Sequence, residues 1–137
     1  MWRFITKHGK IILKGLNVST EERKVSRQEE LQKIKAGFVQ TQDIFLALGD
    51  ENRQSIIVSL LEAGCDGMRV GELTTQTHLS RPAVSHHLKI LKEAKLVSIR
   101  KDGTKHYYAV QPTQNFTIMQ KTAAIIERLV DENEKNG

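Results

Sequence analysis

The sequence predicts a mainly α-helical fold with one small β-hairpin. Three observations carry this. Apolar residues recur at spacings of three and four over most of the chain, as at Val84, Leu88 and Leu91. The period changes to two once, at LVSIR and HYYAV, on either side of KDGTK. Gly, Pro, Ser and Asp fall between the periodic runs, where caps and turns need them.

The elements follow in order. The chain opens on MWRFITKHGKIILKGL, which is basic and mildly apolar. Its longest apolar stretch, Ile11 to Leu13, is too short for a signal-peptide core. Residues 1–25 are therefore expected as a flexible basic arm, with a membrane-surface role as the alternative. Ser19 and Ser26 each precede a glutamate by three residues (Glu22, Glu29), the capping-box pattern of a helix start. Leu31, Ile34 and Phe38 fall at helical spacing, and Gly37 weakens that helix near its end. Ile44, Phe45 and Leu48 follow at once and either continue the helix or begin another.

Gly49 breaks the run, and Asp50 caps ENRQSIIVSLLEAG, whose inward stripe is Ile56, Ile57, Leu60 and Leu61. CDGMR reads as a loop, and VGELTTQTH as a short helix with Val70 and Leu73 inward. Leu79 and Ser80 make a tight turn. Ser80 then caps a helix with Pro82 in its first turn, where a missing N–H costs nothing. Val84, Leu88 and Leu91 form its buried stripe. In the hairpin, Asp102-Gly103 is the turn pair.

A last helix runs from Thr113 to Glu132. Phe116, Met119, Ala123, Ile126 and Val130 make one stripe, and Ile118, Ile125 and Leu129 a second beside it. That face is wide for one small domain. A homodimer interface is expected there, formed by Leu31, Ile34, Phe38 and Phe45 with Phe116, Met119, Ala123, Ile126 and Val130. The alternative is that the helix completes the monomer core. The domain is expected over 26–133, with a core at 46–110 and a tail at 134–137.

Bulk properties narrow the function. The chain has 137 residues, 39% of them hydrophobic and 5% aromatic, enough for one small core that dimerisation would extend. A single cysteine, Cys65, excludes an intrachain disulfide and a CxxC metal pair, which suits a reducing cytoplasm. It reads as an inert thiol, with a redox handle as the alternative. No apolar run reaches the roughly 20 residues of a membrane helix. The net charge is +5, and residues 80–108 alone carry seven basic and two acidic residues. That block suits a polyanion. The plain alternative is a solvated surface.

Two short helices with a tight turn between them, followed by a hairpin, make a winged helix-turn-helix. There the second helix enters the DNA major groove with its N-terminal half. The outward positions of that half are Ser80, Arg81, Ser85, His86 and Lys89, with Arg81, Ser85 and Lys89 on one face. Arg and Lys bond guanine edges or phosphates, and Ser and His donate or accept at either. Arg100, Lys101 and Lys105 at the hairpin suit phosphates or a minor groove. With Gln76, Pro82 and His87, these residues form the expected DNA-contacting set. His86 and His87 are adjacent, about 100° apart on a helix, so one metal ion would not easily take both. His86 lies on the polar face. His87 lies at the edge of the Val84–Leu91 stripe, with its ring packed and a nitrogen left for a backbone or phosphate contact, or packed only.

Three stretches carry a family resemblance. LGDENRQSIIVSLL resembles L-x-D-P-x-R-x-x-I-L-x-x-L, with Asp50 and Arg53 in place and Glu51 where proline is usual. VGELTTQTHLSRPAVSHHLKILKEAKLV resembles V-x-E-L … S-Q-x-x-V-S-x-H-L-x-x-L-x-x-A-G-L-V, with Arg81 for the common glutamine and Lys95 for the common glycine. IRKDGTKHYYAV resembles the wing R-x-G-x-x-x-Y-Y-x-L. Together, over residues 46–110, they resemble the arsenical-resistance repressor (ArsR) family of bacterial winged-helix regulators. The resemblance implies a homodimer that sits on a promoter palindrome, represses, and is released by an inducer, often a metal ion. The cysteine pair that some members carry at ELCVC is absent, since Glu72 to Gln76 read ELTTQ. No histidine follows His106, and Glu127 with Asp131 are poor ligands for soft or borderline metals. No metal or other cofactor is expected.

The first reading is thus a sequence-specific DNA-binding repressor in the cytoplasm, with double-stranded DNA as its partner and a small-molecule or protein effector unidentified. The alternatives are a protein-interaction module on the same scaffold and a metal-responsive repressor with a non-standard site. No nucleophile–base pair, Gly-rich phosphate loop or H-E-x-x-H supports an enzyme.

Overall fold

The computed structural model describes residues 20–137. The expected arm up to residue 19, and with it the Ser19 cap, lies outside the described residues. Helix α1 spans Thr20–Leu48, α2 Glu51–Ala63, α3 Val70–Thr77 and α4 Arg81–Glu93. Strands β1 (Val97–Asp102) and β2 (Lys105–Val110) follow, then α5 (Gln114–Asn136). A short 3-10 turn, Gly64–Asp66, fills part of the expected CDGMR loop. The chain divides into two compact units at Ala36 and Gly37. Among the described residues the first unit holds the opening part of α1, so helix begins inside the segment expected as an arm. Ser26 caps nothing, because it lies within this continuous helix.

The second unit, Gly37–Gly137, holds the core. Ile44, Ile56, Leu60, Leu73, Val84, Leu88, Leu91, Leu96 and Val97 are buried together. Gly37 opens this unit mid-helix and does not end α1. A Cβ there would lie 2.0 Å from the Thr122 hydroxyl oxygen on α5, so the glycine permits close approach. Thr41 and Thr122 are both buried and return their hydroxyls to carbonyls four residues back, Gly37 O at 2.7 Å and Ile118 O at 2.8 Å.

Asp50 caps α2, its carboxylate accepting from Arg53 N at 3.0 Å. Ile56 and Leu60 face inward as expected and Ile57 is half-buried, but Leu61 is 61% exposed. Met68 bridges to Tyr108 through two backbone hydrogen bonds of 2.8 Å, which fastens the segment before α3 to the hairpin. Gly67 beside it has φ 73°, and a Cβ would lie 2.5 Å from Tyr108 O.

β1 and β2 pair antiparallel, from Val97 opposite Val110 to Asp102 opposite Lys105. The two-residue loop is therefore Gly103-Thr104, one position beyond the expected turn pair. On α5, Thr122 and Leu129 are the buried residues; of the expected first stripe, Phe116 and Met119 pack partly against the core, Ile126 is half-buried, and Ala123 and Val130 are exposed. No helix among the described residues is long and apolar enough to cross a membrane.

Candidate nucleic-acid interface

Helix α4 is positioned by its apolar side and its two ends. Val84, Leu88 and Leu91 are at most 1% exposed. At the N-terminus the Ser80 hydroxyl accepts from Ala83 N at 3.3 Å, and Pro82 lies in the first turn. At the C-terminus Leu96 N donates to Leu91 O and Lys95 N to Lys92 O, both at 2.9 Å. That pairing is a Schellman cap, with Lys95 in the left-handed region (φ 60°) that glycine usually fills. His78, at φ 56°, makes the corresponding turn between α3 and α4.

With its inner face locked, α4 presents Arg81, Pro82, Ser85, His86 and Lys89 to solvent, all exposed. Lys101 and Lys105 are exposed near the hairpin tip, opposite His106 and Asp102 respectively. Arg100 differs from its neighbours. Its guanidinium lies 4.6 Å from the centre of the Tyr107 ring and donates to Asp66 O at 3.2 Å, so it is folded onto the body of the domain. Gln76 lies at a groove between α2 and α3, shared with Gln54 and His78.

His87 is half-buried, and its Nδ1 lies 3.4 Å from Nη1 of Arg53. The contact is a hydrogen bond only when Nδ1 carries no proton. Arg53 is the residue that sequence reasoning placed in a motif without giving it a role. Its Nε donates to Ala47 O at 2.6 Å and its Nη2 to Leu46 O at 3.1 Å, both in the last turn of α1. It thereby joins the end of α1 to α4. The Asp50 carboxyl is held below its ordinary pKa, chiefly by the hydrogen bond from Arg53 N; desolvation opposes this, and the charges of Arg53 and His87 add to it.

The His86 and His87 rings diverge, with centroids 5.9 Å apart and planes at 56°. Among the described residues no group of three His, Cys, Asp or Glu side chains could hold a metal ion. Glu127 and Asp131 are exposed, as is Cys65.

The residues expected at a dimer interface separate into two sets. Leu31, Phe38, Phe45, Ala123 and Val130 are exposed. The Phe38 and Phe45 rings touch, with centroids 6.2 Å apart. Phe116 and Met119 instead pack partly against the chain's own core, and Ile34 and Ile126 are half-buried. Val39 and Leu46, not anticipated, are among the most exposed apolar residues of α1, at 77% and 66%.

Comparison with known proteins follows the same lines. Residues 50–98 match the family model described as bacterial regulatory protein, arsR family. The chain is 45% identical over 67 residues to the HTH-type transcriptional regulator Rv2034 of Mycobacterium tuberculosis, a match that covers 49% of this chain and only 60% of that regulator's length. It is 32% identical over 100 residues to the arsenical resistance operon repressor of Staphylococcus aureus, covering 69% of this chain and 90% of that protein. The solved ArsR-like transcriptional regulator from Rhodococcus sp. RHA1 superposes with a TM-score of 0.55 at 28% identity, over 72% of this chain and 84% of that one.

Proposed function

The chain belongs to the ArsR family of bacterial regulatory proteins, and from that premise we propose that it is a repressor that binds a palindromic operator as a homodimer. The single observation that carries the DNA reading is α4. Its apolar side is locked in the core, and its other side offers Ser85, His86 and Lys89 with no cover. These side chains reach base edges, and Ser80, Pro82 and His87 lie along the same helix. Lys101 and Lys105 on the wing meet phosphates, while Arg100 and Gln76 take supporting places at the margin. The protein acts in the cytoplasm, where its DNA is.

The dimer reading rests on the exposed apolar residues of α1 and α5, Phe38, Phe45 and Val130 among them. A two-fold dimer on DNA sets its reading helices about one turn apart, roughly 34–36 Å. An effector at the dimer interface changes that spacing and releases the operator. The effector is not a metal at the family's usual positions, since ELTTQ replaces the cysteine pair and no histidine follows His106.

Fluorescence anisotropy tests this. A duplex from the gene's own upstream region is compared with a scrambled duplex of equal length, at fixed salt and with chelator present. Tight binding to the first alone is the expected result. Equal, weak binding to both overturns the reading of a metal-independent operator binder.

A further inference from the structure

A cleft of about 540 Å³ opens between the helix-turn-helix and the wing. Its walls include Arg69 and Glu72 at the start of α3, Arg81 at the start of α4, and Thr104 and His106 from the hairpin. Sequence reasoning placed Arg81 on the base-reading face and gave Arg69 and His106 no role. We propose that this cleft holds one phosphodiester of the DNA backbone, and that Arg81 is a phosphate-binding residue and not a base reader. The proposal rests on the DNA-binding reading of α4 given above.

The direction of Arg81 is the first argument. Side chains on a helix lean toward its N-terminus. Arg81 is the first residue of α4, so its side chain leans off the end of the helix. Its Nη1 lies 3.9 Å from where a Cβ of Gly71 would stand, against the first turn of α3. Ser85 and Lys89 lie one and two turns further along α4. A guanidinium turned back toward α3 is therefore away from the base edges those two residues reach.

The second argument is charge. Neither Arg69 nor Arg81 forms an ion pair among the described residues. Among the described residues, Glu72 is the one acid in the cleft wall. Its carboxylate accepts from Arg69 N at 2.8 Å, which occupies one oxygen at the start of α3. The two guanidiniums outweigh it by one positive charge, the complement of a phosphodiester. The Thr104 hydroxyl and the His106 ring add donors from the opposite wall. Arg forks suit the paired non-bridging oxygens of a phosphate. A backbone strand running between the wing and the start of α3 would place one phosphate here, while α4 lies in the adjacent groove.

The test is the salt dependence of binding by the full chain. Arg69→Ala, Arg81→Ala and the double variant are titrated with the upstream duplex and with the scrambled one, from 50 to 200 mM salt. Each phosphate contact contributes a slope of about 0.9, so it makes affinity fall a further ~3.5-fold across that range. Each single variant is expected to bind both duplexes more weakly by the same factor and to lose that ~3.5-fold of salt response per protomer. The double variant is expected to lose about the same and not twice as much, because both side chains hold one phosphate. Glu72→Gln, which keeps an acceptor for Arg69 N, is expected to tighten binding to both duplexes.

Loss of discrimination between the duplexes in Arg81→Ala, with the salt slope unchanged, makes Arg81 a base reader and overturns the proposal. So does an Arg69→Ala protein indistinguishable from wild type. Wild-type protein that binds neither duplex overturns the DNA reading beneath it as well, and so differs from either of those results. Thermal melts of each variant, expected unchanged for these exposed side chains, separate binding from folding.

Discussion

Arg53→Met isolates what the guanidinium does, because methionine keeps an unbranched apolar stem and removes every donor. The side chain of Arg53 is 13% exposed, so its hydrogen bonds are largely shielded from water. The bond to Ala47 O, at 2.6 Å, is charge-assisted and worth about 2 kcal/mol. The bond to Leu46 O, at 3.1 Å, is exposed, and water replaces much of it, leaving about 0.5 kcal/mol. The 3.4 Å approach to His87 is too long to add much. The expected loss is therefore about 2–3 kcal/mol, roughly 10 °C in Tm for a chain of this size. Arg53→Lys keeps the charge but cannot reach both carbonyls in a fork, so it should lose about half as much. Thermal denaturation followed by circular dichroism reads both. A methionine variant within about 0.5 kcal/mol of wild type, the range of an ordinary surface change, refutes the reasoning. A lysine variant equal to wild type shows that charge alone matters and refutes the geometric part.

Gly37→Ala gains about 1 kcal/mol of helix propensity but forces a Cβ onto Thr122, at a cost of about 1–3 kcal/mol. A net loss is expected in urea unfolding, with Thr122→Ala restoring part of it; a gain would show that the helices do not approach closely there. Lys95→Gly relieves a left-handed residue, about 1–2 kcal/mol, against a glycine entropy cost of about 0.5–1 kcal/mol. A small rise in Tm is expected, and a fall would contradict the Schellman geometry. The lowered carboxyl of Asp50 binds its proton more weakly in the folded state than in the unfolded one. Its contribution is therefore full above the ordinary carboxylate range and lost as pH falls through that range toward the lower folded value. Asp50→Asn should flatten the fall of Tm below about pH 5, and an unchanged acid profile would assign the fall to other groups. Lys101→Ala should weaken binding to all duplexes and reduce the salt slope by about 0.9 per protomer; loss of one base preference instead would make it a reader.

The elements nearest the interface were legible because local chemistry decides them. Asp50 and Ser80 stand where a helix start needs an oxygen acceptor, and Val84, Leu88 and Leu91 can share a face only on a helix. What sequence missed depends on distant partners. Gly37 reads as a helix weakness until Thr122 is beside it. Leu61 carries the same apolar signal as Leu60, and only the packing of the rest of the domain, which covers Leu60 and leaves Leu61 exposed, separates them. Arg100 reads as a free cation until Tyr107 and Asp66 O are seen to hold it. Tyr107 could have been found, because hairpin pairing sets it directly opposite Arg100 once the turn is placed at Gly103-Thr104. The expected turn at Asp102-Gly103 shifts that register and hides the pair.

Along α4 the contacts differ in kind from one turn to the next, and this bears on how binding could be controlled. Its middle, at Ser85, His86 and Lys89, is exposed. His87, between those residues in sequence, lies against Arg53, which is bonded to the Ala47 and Leu46 carbonyls in the last turn of α1. A contact on the exposed apolar side of α1 near Phe45 and Leu46 would act within one residue of the Ala47 and Leu46 carbonyls that Arg53 holds. The exposed residues and their half-buried neighbour His87 thus share one helix, whose position is set by its buried apolar side and its two capped ends.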